Sequence, residues 1–78
     1  MDKVLDDIRA ERAYQDKTWG GSGFDDTQTA DDWQKYLLEY SQGEGRAAGR
    51  DFRTRMVKTA ALAVAAIESY DRKVGKAV

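Results

Sequence analysis

The sequence contains no cysteine, no histidine and no proline. Without cysteine there is no disulfide and no thiolate nucleophile. Without histidine there is no imidazole base, and the usual zinc ligands are missing altogether. A chain of 78 residues buries only about 60–65% of the surface its unfolded form exposes. With the usual staples of a small fold absent, self-association is the remaining one, and a homo-oligomer is expected. The absence of proline leaves long helices uninterrupted. Long hydrophobic runs are missing too: the longest, Ala60–Ile67, has eight residues, whereas a membrane-spanning helix needs about 20. No leader-like segment is visible, so the reading is of one helical domain, residues 1–78, acting in the cytoplasm.

Charge is plentiful but unevenly placed. The overall net charge is −1. Residues 1–44 carry five Lys/Arg against eleven Asp/Glu, a net of −6, and residues 45–78 carry eight against three, a net of +5. Two halves of opposite sign can attract one another within a fold or across an interface. The balance argues against non-specific nucleic-acid binding, which needs a strongly basic surface.

The expected fold is all-α, a small bundle of three helices at about 2–17, 30–42 and 51–74. The third is the central one. Phe52, Met56, Ala60, Ala63, Ile67, Tyr70 and Val74 recur at steps of three or four, one stripe of a helix. Val57, Leu62, Val64 and Ala66 lie off that stripe, so its middle is apolar nearly all round and reads as both core and subunit interface. Asp51 is a candidate N-cap, Arg72 and Lys73 suit the negative end of the dipole, and Val74–Val78 reads as a fraying tail.

The first helix has Asp2 as a candidate N-cap and an apolar face of Val4, Leu5 and Ile8. That face continues as Glu11, Arg12, Gln15 and Trp19. These polar groups either rim the core or point into a pocket, where a charge is tolerated only when paired or completed by a ligand. Residues 18–28 form the main loop, with Trp19 and Phe24 bracketing Gly-Gly-Ser-Gly; the two rings either anchor the loop or stack on a planar ligand. The glycines lack the ending of a phosphate-binding loop. Asp25, Asp26, Asp31 and Asp32 could hold Mg²⁺, but Thr29-Ala-Asp-Asp32 also fits a capping box. Trp33, Tyr36, Leu37 and Tyr40 share a face of the second helix, as a core stripe or a base-stacking platform. Gly43-Glu44-Gly45 ends that helix. Five cations then follow by Lys58: Arg46, Arg50, Arg53, Arg55 and Lys58. Arg46, Arg50 and Arg53 share a face if the stretch is helical. They suit phosphate or carboxylate, or form a solvated face paired with the acidic half.

Glu11-Arg12-Ala-Tyr-Gln15-Asp-Lys17-Thr-Trp19-Gly20, Phe24-Asp25-Asp26, Asp32-Trp33 and Met56–Glu68 together resemble a group of small bacteriophage and prophage proteins of unassigned function, over roughly positions 8–72. More distantly the pattern is similar to MazG-like all-α nucleoside triphosphate pyrophosphohydrolases. Those enzymes hold Mg²⁺ with Glu-x-x-Glu on one helix and Glu-x-x-Asp on the next. The corresponding stretches here are Glu39-Tyr-Ser-Gln42 and Arg55-Met-Val-Lys58. One carboxylate facing two cations does not hold the metal that such hydrolysis requires. The resemblance therefore implies nucleotide binding without catalysis and without a cofactor. Arg12, Arg53, Arg55 and Lys58 would meet phosphates, Trp19 or Phe24 a base, and Glu11 and Gln15 the pocket wall. In a phage setting, in the host cytoplasm, such a protein would act as a sponge for a host immune signal. Two alternatives stand beside it. One is an inhibitor that docks on a host defence protein through Trp19, Phe24 or Tyr36. The other is a Mg²⁺-dependent hydrolase using Glu11, Asp25, Asp26, Asp32 and Glu39.

Overall fold

The computed structural model describes residues 1–77, with side chains through Val74. Four helices follow one another: α1 (Asp2–Trp19), a short α2 (Gly21–Asp25), α3 (Ala30–Gln42) and α4 (Phe52–Ala77). A 3-10 turn, Gly45–Ala47, lies between α3 and α4. The three long helices are those the periodicity predicts. Asp7 meets Arg53 and Glu11 meets Lys58, so α1 and α4 run in the same direction. Gln28 meets Lys73 and Ser41 meets Arg55, so α3 runs against them. No helix among the described residues is long and apolar enough to cross a membrane.

Local chemistry sets the boundaries. Thr29 and Asp32 form the predicted capping box: Asp32 N–H donates to Thr29 Oγ1 at 3.1 Å, and Thr29 N–H donates to Asp32 Oδ2 at 2.9 Å. Those bonds, the one from the Thr29 backbone first, hold the Asp32 carboxyl below its usual pKa. Asp51 caps α4 as expected, accepting the Thr54 N–H at 2.7 Å. Asp2 is already helical; Met1 occupies the cap position and gives no side-chain bond. The expected fraying tail is helical from Val74 to Ala77, and Val78 lies outside the described residues.

The glycine-rich stretch departs from the loop reading. Gly20 adopts a left-handed conformation (φ 100°) that ends α1, and the chain re-enters a helix at once as α2. Only glycine takes this conformation without steric cost, so one residue suffices to turn the chain. α2 folds back under α1 and α4, and Phe24 packs at a tilt on Trp19 with ring centroids 6.0 Å apart.

The buried core is small: Trp33 and Tyr40 from α3, Ala47 from the turn, and Ala61, Leu62 and Ala65 from α4. Trp19, Tyr36, Leu37 and Ala66 pack around most of it. Tyr36 also bonds Gln28 through its hydroxyl at 2.9 Å. Two apolar faces read from the spacing stay largely outside this core. The apolar stripe of α4 faces outward, with Phe52 67%, Ile67 61% and Tyr70 67% exposed, while Ala61, Leu62, Ala65 and Ser69 face in. An all-round apolar helix has no unique inward face, and its small residues won because they allow Trp33 and Tyr40 to approach. In α1, Val4 and Leu5 are exposed, and Gln15 is the one buried residue.

The capping box yields a direct check. Thr29→Ala is expected to lower the stability of the fold by about 1 kcal/mol, read from urea denaturation followed by helical circular dichroism. An unchanged midpoint would mean that α3 is held by packing alone.

Candidate functional site

The basic half of the chain begins where α3 ends, and it passes close to the middle of α1. There the structure opens a cleft of about 220 Å³. Its walls are Glu11, Tyr14, Gln15, Thr18 and Trp19 of α1, Tyr40 of α3, Arg46 and Arg50 of the connection, and Lys58 of α4.

The floor is a polar chain across α1 and α4. Lys58 Nζ donates to both oxygens of Glu11 at 3.0 Å, and the two side chains keep only 12% and 15% of their surface exposed. Gln15 Nε2 donates to Glu11 Oε2 at 3.3 Å. A carboxylate only accepts, so the amide nitrogen must face it, which turns Gln15 Oε1 the other way. That oxygen is buried and has no hydrogen-bond partner among the described residues.

The rim is cationic and aromatic. The Arg46 guanidinium lies over Trp19, 5.6 Å from the ring centroid, and over Tyr36 at 4.9 Å. Such stacking is the geometry of a cation–π contact. Glu39 holds Arg46 from below, accepting its backbone N–H and its Nη2, both at 3.1 Å. These bonds, the backbone one first, keep the Glu39 carboxyl below its ordinary pKa. Burial works against the charge of Arg46, and the Glu39 contacts outweigh it and raise the pKa. Gly45 makes this arrangement possible. It sits at φ 55°, and a Cβ there would collide with the Glu39 carboxylate. Arg50 donates Nε to the Arg46 carbonyl at 3.4 Å, and its charge has no carboxylate within ion-pair distance among the described residues.

The expected binding residues divide. Glu11, Gln15, Trp19 and Lys58 meet in the cleft. Phe24 does not line it; it supports Trp19 from behind. Arg12 does not line the cleft; it is engaged elsewhere, bonding Asp16 at 2.9 Å and Glu68 at 3.0 Å and lying 3.8 Å from Asp25. Arg53 is held by Asp7 at 2.7 Å. Arg55 donates to the Ser41 carbonyl at 2.8 Å, at the negative end of α3. Arg12, Arg53 and Arg55 thus serve the fold. The expected common face of Arg46, Arg50 and Arg53 is not formed, because α4 starts only at Phe52.

The acidic residues are dispersed as well. Asp26 accepts from Arg72 and from Ser69, Asp32 caps α3, and Asp25 is 5% exposed. Among the described residues no group of three or more His, Cys, Asp or Glu is placed to hold a metal ion. Sequence reasoning left Tyr14, Thr18, Tyr40, Arg46 and Arg50 out of the site. Arg46 and Arg50 carried a signal in the cation run. Tyr40 read as core, which it also is. In comparisons with known protein families, curated proteins and solved structures, nothing matches this chain.

Two measurements test these electrostatics. Burial raises the Asp25 carboxyl above its usual pKa, although Arg12 opposes the shift. The folded state therefore binds the proton more readily than the unfolded chain, and this residue's contribution to stability falls as pH rises from the unfolded value through the folded one. Asp25→Asn is expected to melt above the wild type at pH 7 and level with it near pH 3; an equal or lower melting temperature at pH 7 contradicts the assignment. In the cleft, Lys58→Met is expected to cost about 3 kcal/mol by stranding Glu11. Adding Glu11→Gln should recover part of that loss, as a double-mutant cycle would show.

Proposed function

We propose that the cleft binds a small anion with a planar ring, of the nucleotide or cyclic-nucleotide class, and does not turn it over. The observation that carries this reading is Arg50, a guanidinium at the cleft mouth with no carboxylate of its own. Around it, Arg46, Arg50 and Lys58 face only Glu11 and Glu39, leaving the site with a net charge of +1. A guanidinium fork suits phosphate, and Tyr14 and Trp19 offer ring surfaces beside it. At about 220 Å³ the cleft is smaller than the roughly 300–1,000 Å³ usual for ligand pockets. It suits a mononucleotide-sized ligand, or part of a larger one whose remainder stays in solvent.

The absence of turnover from this proposal follows from where the carboxylates are. Glu11 is spent on Lys58, and Glu39 on Arg46. Neither is free to bind a metal or to accept a proton from water. The resemblance to MazG-like proteins supports a nucleotide as the ligand. The resemblance to small phage proteins supports a role as a sponge that lowers the free concentration of a host signal.

Isothermal titration against a panel of mono- and cyclic nucleotides tests the proposal. At least one should bind with a micromolar Kd, weaken as salt is raised, and be recovered intact after the protein is heated out. Arg50→Ala should weaken that ligand about tenfold or more, since a charge-assisted bond contributes roughly 1.5–3 kcal/mol. A flat titration across the panel would falsify the reading, and conversion of the ligand would replace it with the enzyme alternative.

A further inference from the structure

The outward face of α4 carries a pattern that the fold covers only in part. Met56, Ala60, Ala63, Ile67, Tyr70 and Val74 are spaced four, three, four, three and four residues apart. That is a heptad repeat with Ala60, Ile67 and Val74 at one seam position and Met56, Ala63 and Tyr70 at the other. Ile67, Tyr70 and Val74 are 61%, 67% and 44% exposed, and the remaining three are half-buried. A seam of this spacing is matched by another helix of the same spacing, and a second copy of this chain supplies one.

We infer that two copies pair α4 against α4, antiparallel, across this seam. The direction follows from residue size. In an antiparallel pair centred on position 65, Met56 faces Val74, Ala60 faces Tyr70, and Ala63 faces Ile67 of the other copy. Each alanine then receives a large side chain, and the layers fill evenly. A parallel, in-register pair would set Ala60 on Ala60 and Tyr70 on Tyr70, leaving a void in one layer and crowding in another. The two-fold is closed, because the same surface serves both copies.

The area is adequate. From the exposures of Phe52, Ile67, Tyr70, Val74, Val64 and Leu38, roughly 600 Å² of side-chain surface stands open on this side of the molecule. A standard interface takes about 800 Å² per partner, and the half-buried seam residues with the adjoining groove at Leu37 and Thr59 supply the difference. Lys58 lies about 160° around α4 from the seam, so pairing leaves the ligand cleft open.

Sedimentation equilibrium and disulfide trapping test the pairing. The wild type should have the mass of a dimer at micromolar concentration. Ile67→Asp should be a monomer with unchanged helical circular dichroism, because Ile67 contributes little to the core. The chain has no cysteine, so single cysteines report direction. Met56→Cys alone should not cross-link, since the two positions 56 lie about 27 Å apart in the antiparallel pair. A mixture of Met56→Cys and Val74→Cys proteins should cross-link to a heterodimer. A monomeric wild type, or a dimer unaffected by Ile67→Asp, overturns the interface. Efficient cross-linking of Met56→Cys by itself overturns the direction.

Discussion

The fold depends on a ladder of charge between α1 and α4. Asp7 meets Arg53, Glu11 meets Lys58 and Arg12 meets Glu68, and the same pairing extends past α1, where Asp26 meets Arg72. α1 contributes no fully buried apolar side chain, so hydrophobic packing alone does not set its register. Outer rungs of such a ladder are exposed and individually weak. Glu11–Lys58 is the nearly buried one, and a nearly buried pair is costly to mismatch. Sliding α1 by one turn would break every rung at once. The charge asymmetry between the two halves of the sequence is therefore spent inside the molecule.

That expenditure decides what is left for binding. Most of the cations near the start of α4 are taken. Arg53 serves α1, Arg55 serves the end of α3, and Lys58 serves Glu11. Arg46 is half committed, clamped by Glu39 against Trp19 and Tyr36. Arg50 and Arg55 hold no carboxylate among the described residues, and Arg55 is tied to the Ser41 carbonyl, so Arg50 is the cation left at the cleft. The cleft is thus defined by what the fold does not consume, and the proposed anion binding rests on a small surplus of positive charge next to aromatic walls.

The same logic applies to apolar surface. A core built from Trp33, Tyr40, Leu62 and alanines is thin for a chain with no disulfide, and ten large hydrophobic side chains among the described residues stay exposed. Much of that surface lies on the outer side of α4, at heptad spacing, remote from the cleft. One face of α4 closes the monomer and the other is suited to a partner.

The sequence by itself determined the three long helices, the Thr29–Asp32 box, the Asp51 cap and the core face of Trp33 and Tyr40. Those depend on spacing and on bonds between residues three or four apart, which local order dictates. It also marked Glu11, Arg12, Gln15 and Trp19 as the continuation of one α1 face and Lys58 as part of a cation run, and the structure brings four of these five to one cleft. Only the tertiary structure decided that Arg12 is engaged by Asp16 and Glu68, that Arg46 and Arg50 join the cleft, and that the glycine-rich stretch forms a helix. It alone decided which face of α4 is buried. A helix apolar on every side carries no directional signal, so the choice falls to the shapes of the side chains packed against it, and in α4 alanines and Ser69 admit the large rings that Ile67 and Tyr70 would exclude.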